Sequence, residues 1–295
     1  MRQPASIQRL LFAVGLTAFF LPTFVSAVDL KPETIQAWDE YVQAATERHQ
    51  PGPSSSGPFL WSDTIPGQTA RLQRGEIVVA PYGPHIPLKV PLGLIHDWVG
   101  AAFIPNARLS DVLHIVRDYD RYKDFYGPHV AESKPIGTTE LQDRFSMQLM
   151  NKSVVAKTAF DGEFQSFYTR LDERRWYSFS ESTHVQEIAD YGTPNHRSLP
   201  EGTGSGIIWR LQSFTRFEER DGGVYVELEA LALSRDVPGP LRWFIDPLVR
   251  RTSRSSLVTS LEQTQQAVGM ELSCSTRPSC LASGTAVPKP TRSVR

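Results

Sequence analysis

Cysteine is scarce in this chain of 295 residues, which contains only two. Cys274 and Cys280 lie near the C-terminus, in a segment rich in serine and proline. A metal site needs more ligands than this pair and the scattered histidines provide. In an oxidising compartment we expect the pair to close one small disulfide loop, with two free thiols as the alternative.

The chain also lacks an excess of charge of either sign. It has 31 basic and 32 acidic side chains, and its formal net charge of −1 becomes −3 if the first 27 residues, with Arg2 and Arg9, are removed. A mixed and nearly neutral surface offers no electrostatic footprint for nucleic acid, so no nucleic-acid partner is predicted. The hydrophobic content of 40% is ordinary for a globular protein with a buried core.

Long hydrophobic runs are absent except at the N-terminus. There, two arginines precede an uncharged apolar run from Leu10 to Phe24, and Val25-Ser26-Ala27 places small residues where a signal peptidase reads. We predict a signal peptide over residues 1–27, a mature chain that begins at Val28, and a periplasmic or secreted protein. An uncleaved anchor is the alternative, but the run is shorter than the about 20 apolar residues that span a bilayer. No stable membrane anchor is expected after cleavage.

Recognisable catalytic motifs are missing as well. No GxSxG nucleophile elbow is present, and the seven histidines show neither HxH nor HExxH spacing. The stretch Gly202–Gly206 precedes a predicted strand and lacks the lysine of a phosphate loop, so it is interpreted as a turn. Asp118 and Asp120 lack the glycine and the further oxygen ligand of a calcium loop. We predict no cofactor, no metal site and no sequence-local catalytic residue; a site assembled from distant residues stays open.

Helical periodicity marks the segment after the signal peptide. Its apolar positions are Ile35, Trp38, Val42 and Ala45. They recur at steps of three, four and three, the period of an amphipathic helix. We expect the helix to end by His49, because the Pro-, Ser- and Gly-rich residues 51–58 favour a linker. Residues 28–60 are thus predicted as an N-terminal helix and linker.

Beyond this linker, β-prone runs alternate with turn residues. Strands are expected within Glu76–Ala80 and Leu94–Ile104. A helix should follow, with Ser110 as its N-cap and an end near Tyr126, before Gly127-Pro128. Five further strands are predicted within Arg144–Leu149, Val154–Leu171, Arg175–Ile188, Gly206–Glu219 and Val224–Val237. No helical period interrupts them, which is typical of an antiparallel meander.

The last two of these strands can be paired residue by residue. Asp221-Gly222 is the signature of a two-residue type I′ turn, which places Phe217 opposite Val226 and Ser213 opposite Ala230. Side chains alternate along a strand, so one face of the hairpin is apolar or small and the other carries most of the charges. The first face is predicted to be the inner one and comprises Trp209, Leu211, Ser213, Thr215, Phe217, Val226, Leu228, Ala230, Ala232 and Ser234.

The middle of this inner face consists of small side chains, whereas bulky residues are needed to fill a core to native density. Either another element packs very close there, or an open cavity remains, and the sequence favours neither. On the opposite face, the apolar residues that the N-terminal helix is expected to cover are Ile208, Phe214, Leu231 and Leu233.

A long C-terminal helix is predicted after Pro238-Gly239-Pro240, up to about Gly269. Asp246-Pro247 has the form of an N-cap followed by a first-turn proline, so a restart or bend is expected there. The buried stripe at helical steps is Leu257, Leu261, Thr264 and Val268. Residues 271–295 are predicted as a largely unstructured tail that carries the cysteine pair.

The order of elements resembles the START-like or Bet v 1-like superfamily (SRPBCC, polyketide cyclase/dehydrase and lipid transport). The stretches that look like its uncharacterised bacterial secreted members are Leu94–Gly100, Val116–Asp124, Gly206–Asp236, Pro247–Arg251 and Ser255–Leu257. The resemblance covers roughly residues 75–269 and the N-terminal helix. It implies an α+β helix-grip fold, a curved antiparallel sheet wrapped around a long C-terminal helix. It leaves function open, because the superfamily contains lipid carriers, hormone receptors and cyclases.

We predict a START-like ligand-binding domain over residues 61–270, with a cavity between sheet and C-terminal helix that holds a lipid-like or other apolar small molecule. The expected lining is Trp209, Leu211, Ser213, Thr215, Leu228, Ala230, Ala232, Arg250, Ser253 and Leu257. On this interpretation Arg250 is a buried charge and needs a partner, either an anionic group of the ligand or a protein carboxylate.

Two other functions stay open. The same cavity would suit a cyclase- or dehydratase-type enzyme with His184 or Arg250 as its acid–base group; an exposed or hydrogen-bonded His184 is the simpler interpretation. A closed interior would instead indicate a structural or partner-binding protein. The ligand and the oligomeric state do not follow from the sequence.

Overall fold

The computed structural model describes residues 29–49, 57–83, 85–152, 157–236 and 239–275. The predicted signal peptide (1–27), most of the predicted linker and Cys280 lie outside these residues. Across the described segments, no helix is both long and apolar enough to cross a membrane.

One antiparallel sheet of ten strands dominates the described part of the chain. The strands are β1 (Val78–Pro81), β2 (Leu88–Val90), β3 (Gly93–Pro105), β4 (Val130–Thr138), β5 (Gln142–Lys152), β6 (Lys157–Arg170), β7 (Arg175–Ala189), β8 (Arg197–Ser198), β9 (Arg210–Arg220) and β10 (Gly223–Arg235). Their order across the sheet is β1-β3-β10-β9-β7-β6-β5-β4, and β2 and β8 pair with β3 and β7. The predicted meander is therefore confirmed.

Helices cover both faces of this sheet. They are α1 (Pro32–His49), α2 (Gln68–Gln73), α3 (Leu109–Val116), α4 (Tyr122–Phe125) and α5 (Gly239–Ser275), with 3₁₀ turns at Trp61–Thr64 and Tyr119–Arg121. On the inner face, α5 packs mainly against β3 and also against β1, β10 and α3. A curved antiparallel sheet around a long C-terminal helix is the helix-grip α+β fold, as the sequence predicted.

Close approach of α5 to the sheet depends on a glycine in β3. A Cβ atom on Gly100 would lie 2.9 Å from Leu261 Cδ1 and 3.2 Å from Leu257 Cδ2, distances that are too short for carbon atoms. Leu257 and Leu261 belong to the predicted buried stripe of α5, whose other members, Thr264 and Val268, are also buried. The predicted stripe is confirmed, and it closes the interior where α5 packs on β3.

The N-terminal helix covers the outer face of the same strands. Trp38 and Ala45 of α1 are buried in one cluster with Phe214 of β9 and with Leu231 and Leu233 of β10. These three sheet residues were expected under the N-terminal helix, and that expectation is confirmed. Since β3 is buried on both sides along almost its whole length, it forms the centre of the molecule.

The hairpin register also agrees with the sequence prediction. Phe217 pairs with Val226 and Ser213 with Ala230, and the two turn residues have the left-handed φ angles that a type I′ turn requires, 58° at Asp221 and 76° at Gly222. Sequence reasoning missed the short strands β2 and β8. The longest strand that it missed is β4. It lies at the sheet edge, mostly exposed, and contains Pro135, which an edge strand tolerates because one side needs no ladder hydrogen bonds.

Two predicted helix features are wrong. The helix after β3 has Arg108, not Ser110, as its N-cap, because Leu109 is already helical and the Asp111 carboxylate accepts a hydrogen bond from the Arg108 N–H at 2.8 Å. This helix ends at Val116 instead of continuing to Tyr126: Arg117 is its C-cap, and a 3₁₀ turn at Tyr119–Arg121 separates it from α4.

The C-terminal helix is longer than predicted. It runs without interruption from Gly239 to Ser275, across Asp246-Pro247 and past Gly269 into the first residues of the predicted tail. Gly269 has open space where a side chain would stand, so it lies on the outward side of the helix and does not end it.

Candidate functional site

A cavity of about 470 Å³ lies between the inner face of the sheet, the α3–α4 segment and α5. This volume falls in the range of small-molecule sites in proteins. The wall reaches from β5 across β6, β7 and β9 to β10, and α5 closes the opposite side. Because the exposed residues His129 and Ser256 belong to the lining, the cavity reaches the protein surface beside them.

Aromatic side chains form one wall of the cavity. They come from the α3–α4 segment and from β5 and β6, and they are Tyr119, Tyr122, Tyr126, Phe145, Phe164 and Tyr168. The rings of Tyr119 and Phe145 are stacked with centroids 4.0 Å apart, and Phe145 stacks on Phe164 at 5.4 Å. Stacking of this kind fixes the rings and gives the cavity a rigid apolar side.

An ion pair lies directly behind this aromatic wall. Arg117 donates to both carboxylate oxygens of the fully buried Asp143, at 2.9 and 2.8 Å, and also to the carbonyl oxygens of Thr139 and Glu140. Tyr119 donates its hydroxyl proton to Asp143 at 2.9 Å. The two opposite charges are therefore neutralised by each other and by their neighbours, and neither residue lines the cavity.

The tyrosine hydroxyls next to this ion pair are neutral. Since Tyr119 donates to the Asp143 carboxylate, the Tyr168 hydroxyl must be the donor in its 3.1 Å hydrogen bond to Tyr119. Burial raises the pKa of Tyr168 to about 12, and burial together with the neighbouring tyrosines raises the pKa of Tyr119 far above its usual range. At neutral pH these groups form hydrogen bonds but do not act as bases.

Five hydroxyl-bearing residues line the floor of the cavity on adjacent strands; we call them the hydroxyl patch. They are Ser166 of β6, Ser178 and Ser180 of β7, and Ser213 and Thr215 of β9. They lie in register: Ser166 pairs with Ser180, Ser180 with Ser213, and Ser178 with Thr215. Because paired residues point to the same side of a sheet, the patch is a continuous polar area within an otherwise apolar wall.

The hydroxyl patch has unused hydrogen-bonding capacity. Ser166 and Ser180 bind each other through their Oγ atoms. Among the described residues, the hydroxyls of Ser178, Ser213 and Thr215 have no protein partner, although all three line the cavity. From the other side, α5 contributes Ser256, Ser260 and Thr264 to the lining.

Half of the residues predicted to line the cavity do so. Leu211, Ser213, Thr215, Leu228 and Ala230 face it from the hairpin. The small side chains in the middle of the inner face thus leave space there instead of admitting a closely packed element. Whether these residues bind a ligand stays a prediction.

Trp209 points the other way, so its predicted orientation is wrong. It is buried in the cluster beneath α1. The reason is that β9 begins only at Arg210, so Trp209 lies just before the strand. Its N–H donates a hydrogen bond to the Leu233 carbonyl, and Trp209 does not form the predicted pair with Ser234. The alternation assumed from the sequence breaks there, and Ile208, expected under the N-terminal helix, lines the cavity instead.

The other four predicted residues lie beside the cavity. Ala232 is half-buried on the inner face, and Leu257 is buried in the core against β3. Ser253 is half-buried outside the lining, where Ser256 and Ser260 take the place predicted for it. Arg250 is exposed, and the prediction of a buried charge is wrong, because burial among the described side chains of α5 begins only at Leu257.

The two acid–base candidates do not meet in the cavity. His184 lies on β7, partly exposed, with Nδ1 3.0 Å from a carboxylate oxygen of Glu201, and Arg250 is exposed. The simpler interpretation of His184, a hydrogen-bonded strand histidine, is confirmed. Within the described ranges, no group of three or more His, Cys, Asp or Glu side chains is arranged to hold a metal ion.

Cys274 lies in the last turn of α5 and is disulfide-bonded. Its predicted partner, Cys280, lies outside the described residues, so the pairing stays a prediction. Cys274 does not line the cavity; it follows Thr264, the last lining residue of α5, by ten residues.

Sequence reasoning missed the wall formed by β5, β6 and β7. The signal was present as alternation, in Phe164-x-Ser166-x-Tyr168 and in Ser178-x-Ser180. It was not usable, because only the last hairpin has a two-residue turn that fixes its register. Without a register, serines on neighbouring strands cannot be assigned to one patch.

A second polar cluster, also missed, lies on the outer face beneath the end of α1. Its centre is the buried acid pair, Asp97 of β3 and Glu229 of β10, which are 0% and 1% exposed. Tyr41 donates to Asp97 at 2.7 Å, His49 Nε2 lies 2.8 Å from Glu229, and an Arg48 nitrogen lies 3.2 Å from Glu229. The α1 residues thus provide the partners that two buried carboxylates require.

Burial and mutual repulsion perturb this cluster. Burial, and secondly the Glu229 carboxylate, raise the pKa of Asp97 to about 7. Burial lowers the pKa of His49, against the effect of its hydrogen bond to Glu229. One oxygen of Asp97 and Nδ1 of His49 have no partner within the described chain. The cluster lies on the face of the sheet opposite to the cavity, so it belongs to the attachment of α1.

Comparison of the chain with protein-family models and with curated proteins gives no match. Among solved structures it is similar to a STAR-related lipid transfer protein from Xanthomonas axonopodis, with 16% identity over 66% of this chain and 98% of that chain and a TM-score of 0.39. It is also similar to human STARD10, with 11% identity, 74% and 82% coverage and a TM-score of 0.40. The Zhui aromatase/cyclase from Streptomyces sp. R1128 matches with 11% identity, 65% and 99% coverage and a TM-score of 0.38. At such low scores, the activity and ligand of this chain have to be inferred from its own cavity.

Proposed function

We propose that the protein is an exported binding protein that carries a lipid-like or other apolar small molecule in the cavity between the sheet and α5. The observation that supports this function is the cavity itself, about 470 Å³ in volume, with aromatic and aliphatic walls and a surface opening. Apolar surface in contact with water is unfavourable, so a molecule that replaces water against these walls gains roughly 25 cal/mol per Å² that it buries.

The size of the cavity limits what it accepts. If each non-hydrogen atom takes about the volume of a water molecule in the liquid, the space holds a molecule of roughly 15 non-hydrogen atoms. This corresponds to one medium-length hydrocarbon chain or a small ring system. A lipid with two long chains would exceed it unless the walls move apart.

Filling the cavity tests this function. N-phenyl-1-naphthylamine, a neutral dye that fluoresces in apolar surroundings, is expected to bind the protein with one site per chain. Ala230→Phe places a ring in the cavity and should weaken dye binding at least about tenfold. Thr169→Phe adds the same ring at an exposed position of β6 and should bind the dye like the unchanged protein.

Thermal unfolding shows whether each variant is folded, and Thr215→Leu provides a smaller obstruction if Ala230→Phe does not fold. Native mass spectrometry of protein isolated from its natural compartment should reveal a bound apolar molecule. Absence of dye uptake by the folded protein, or equal uptake by Ala230→Phe and Thr169→Phe, would refute the proposal.

A further inference from the structure

The hydroxyl patch determines which apolar molecules the cavity accepts. We infer that the ligand is an uncharged molecule with a hydroxyl or carbonyl oxygen, which binds to Ser178, Ser213 and Thr215 while its hydrocarbon part lies against the aromatic wall. This inference rests on the proposed binding function and specifies the chemical class of ligand.

The unpaired hydroxyls carry the inference. Three hydroxyls that face the cavity and have no partner in the described part of the protein must bind either water or a ligand, because a buried polar group without any hydrogen bond is costly. Adjacent strands lie about 4.8 Å apart, so Ser178 and Thr215, on paired positions of β7 and β9, can bind the same ligand oxygen from two sides. A hydrocarbon alone would displace water from these groups and leave them unpaired.

The charge distribution favours a neutral oxygen over an ion. Asp143 of β5 is paired with Ser166 across the strands, at the β5 end of the hydroxyl patch, but its charge is already neutralised by Arg117. This ion pair therefore offers neither a free cation to an anionic ligand nor a free carboxylate to a cationic one. Arg117 uses four of its five N–H donors on Asp143 and on two carbonyl oxygens, and it does not belong to the cavity lining. Hydroxyl dipoles alone do not compensate for the desolvation of a full charge.

Neutral hydroxyls both donate and accept hydrogen bonds, which suits alcohols, ketones and esters alike. Tyr168 adds directionality. Its proton is used on Tyr119, so its oxygen can only accept a hydrogen bond from a ligand. A ligand hydroxyl that reaches Tyr168 therefore acts as the donor.

A series of molecules with one chain length tests the inference. Dodecan-1-ol, 1-chlorododecane, dodecanoate and dodecylamine, each measured at pH 8 by displacement of N-phenyl-1-naphthylamine, differ only in the end group. We expect dodecan-1-ol to bind at least about tenfold tighter than dodecanoate and dodecylammonium, which are ionised at this pH.

A mutant cycle separates hydrogen bonding from general hydrophobicity. In the double variant Ser213→Ala with Thr215→Val, the preference for dodecan-1-ol over 1-chlorododecane should fall by about fivefold, the equivalent of one hydrogen bond. Ser255→Ala, which removes an exposed hydroxyl of α5, should leave this preference unchanged.

The possible failures are distinguishable. If neither the dye nor any of the four compounds binds, the proposed function itself is wrong. If the dye and 1-chlorododecane bind, but dodecanoate or dodecylammonium binds as tightly as dodecan-1-ol, the cavity functions and the inference of a neutral ligand is overturned. Equal preferences in the double variant and the unchanged protein would overturn the role of the hydroxyl patch.

Discussion

At the scale of single residues, polar groups of the same protein lie in two very different environments. The hydroxyls of Ser178, Ser213 and Thr215 face an open cavity and keep their bonding capacity for a ligand. The carboxylates of Asp97 and Glu229 are sealed between sheet and α1, where each needs protein partners. The first arrangement supports recognition, and the second links stability to pH.

Asp97 should make the protein less stable as pH rises. Its pKa of about 7 in the folded protein exceeds its ordinary value of 3.8, so the folded state binds the proton more tightly than the unfolded chain. The free energy of unfolding therefore falls between about pH 4 and pH 7 and stays low above. Asp97→Asn removes this titration and keeps an oxygen that accepts the Tyr41 hydrogen bond.

We expect the free energy of unfolding, measured with urea, to fall between pH 5 and pH 8 by on the order of 2 kcal/mol more in the unchanged protein than in Asp97→Asn. The pKa of His49 is lowered, so its effect on stability has the opposite pH dependence. The free energy of unfolding that it contributes is lost as pH falls below its ordinary pKa of 6.5. It remains in both proteins and cancels in the comparison. Asp120→Asn, at an exposed site, is the control. Parallel pH profiles for Asp97→Asn and the unchanged protein would contradict this prediction.

At the scale of elements, α1 is attached to the outer face of the sheet by an apolar contact and by the acid pair. Trp38, only 5% exposed, lies in the cluster that contains Phe214, Leu231 and Leu233. The same strands line the cavity with their opposite faces. The helix therefore stabilises the cavity wall from behind and does not itself contribute to the lining described here.

Trp38→Ala is expected to destabilise the protein by about 3 kcal/mol, because it removes a buried ring and leaves a void. Gln43→Ala, on the exposed side of α1, should change the free energy of unfolding by less than about 0.5 kcal/mol. Urea unfolding measures both. In conditions where Trp38→Ala is folded, its affinity for N-phenyl-1-naphthylamine should equal that of the unchanged protein. A large loss of dye affinity in that folded variant would show that α1 takes part in the site.

The elements differ in how well the sequence predicted them. The hairpin β9–β10 was predicted in exact register, because a two-residue turn leaves only one pairing. The edge strand β4 was missed, because an exposed edge imposes little apolar alternation. The break between α3 and α4 was missed as well, since the apolar positions Val112, Val116 and Tyr119 keep a helical spacing across it.

At the scale of the whole molecule, export and disulfide formation are linked predictions. A cleaved signal peptide would bring Cys274 and Cys280 into an oxidising compartment, where a structural disulfide persists. The intact mass of the protein from its natural source should correspond to a chain that begins at Val28 and lacks two hydrogen atoms, and reduction should restore them. A mass that includes residues 1–27 would contradict cleavage, and one unchanged by reduction would contradict the disulfide.

The sequence by itself determined the order of the main elements, the hairpin register and the stripe of α5, because these depend on periodicity and on turns, which are local properties. The helix-grip architecture was what the resemblance of that order to a known superfamily implied. Only the tertiary structure decided that the hydroxyls of three strands form one patch, that Trp209 turns outward and that Arg250 is exposed. These features depend on which strands become neighbours and on where the helix leaves the sheet. Such contacts join residues far apart in the chain, so no local pattern encodes them.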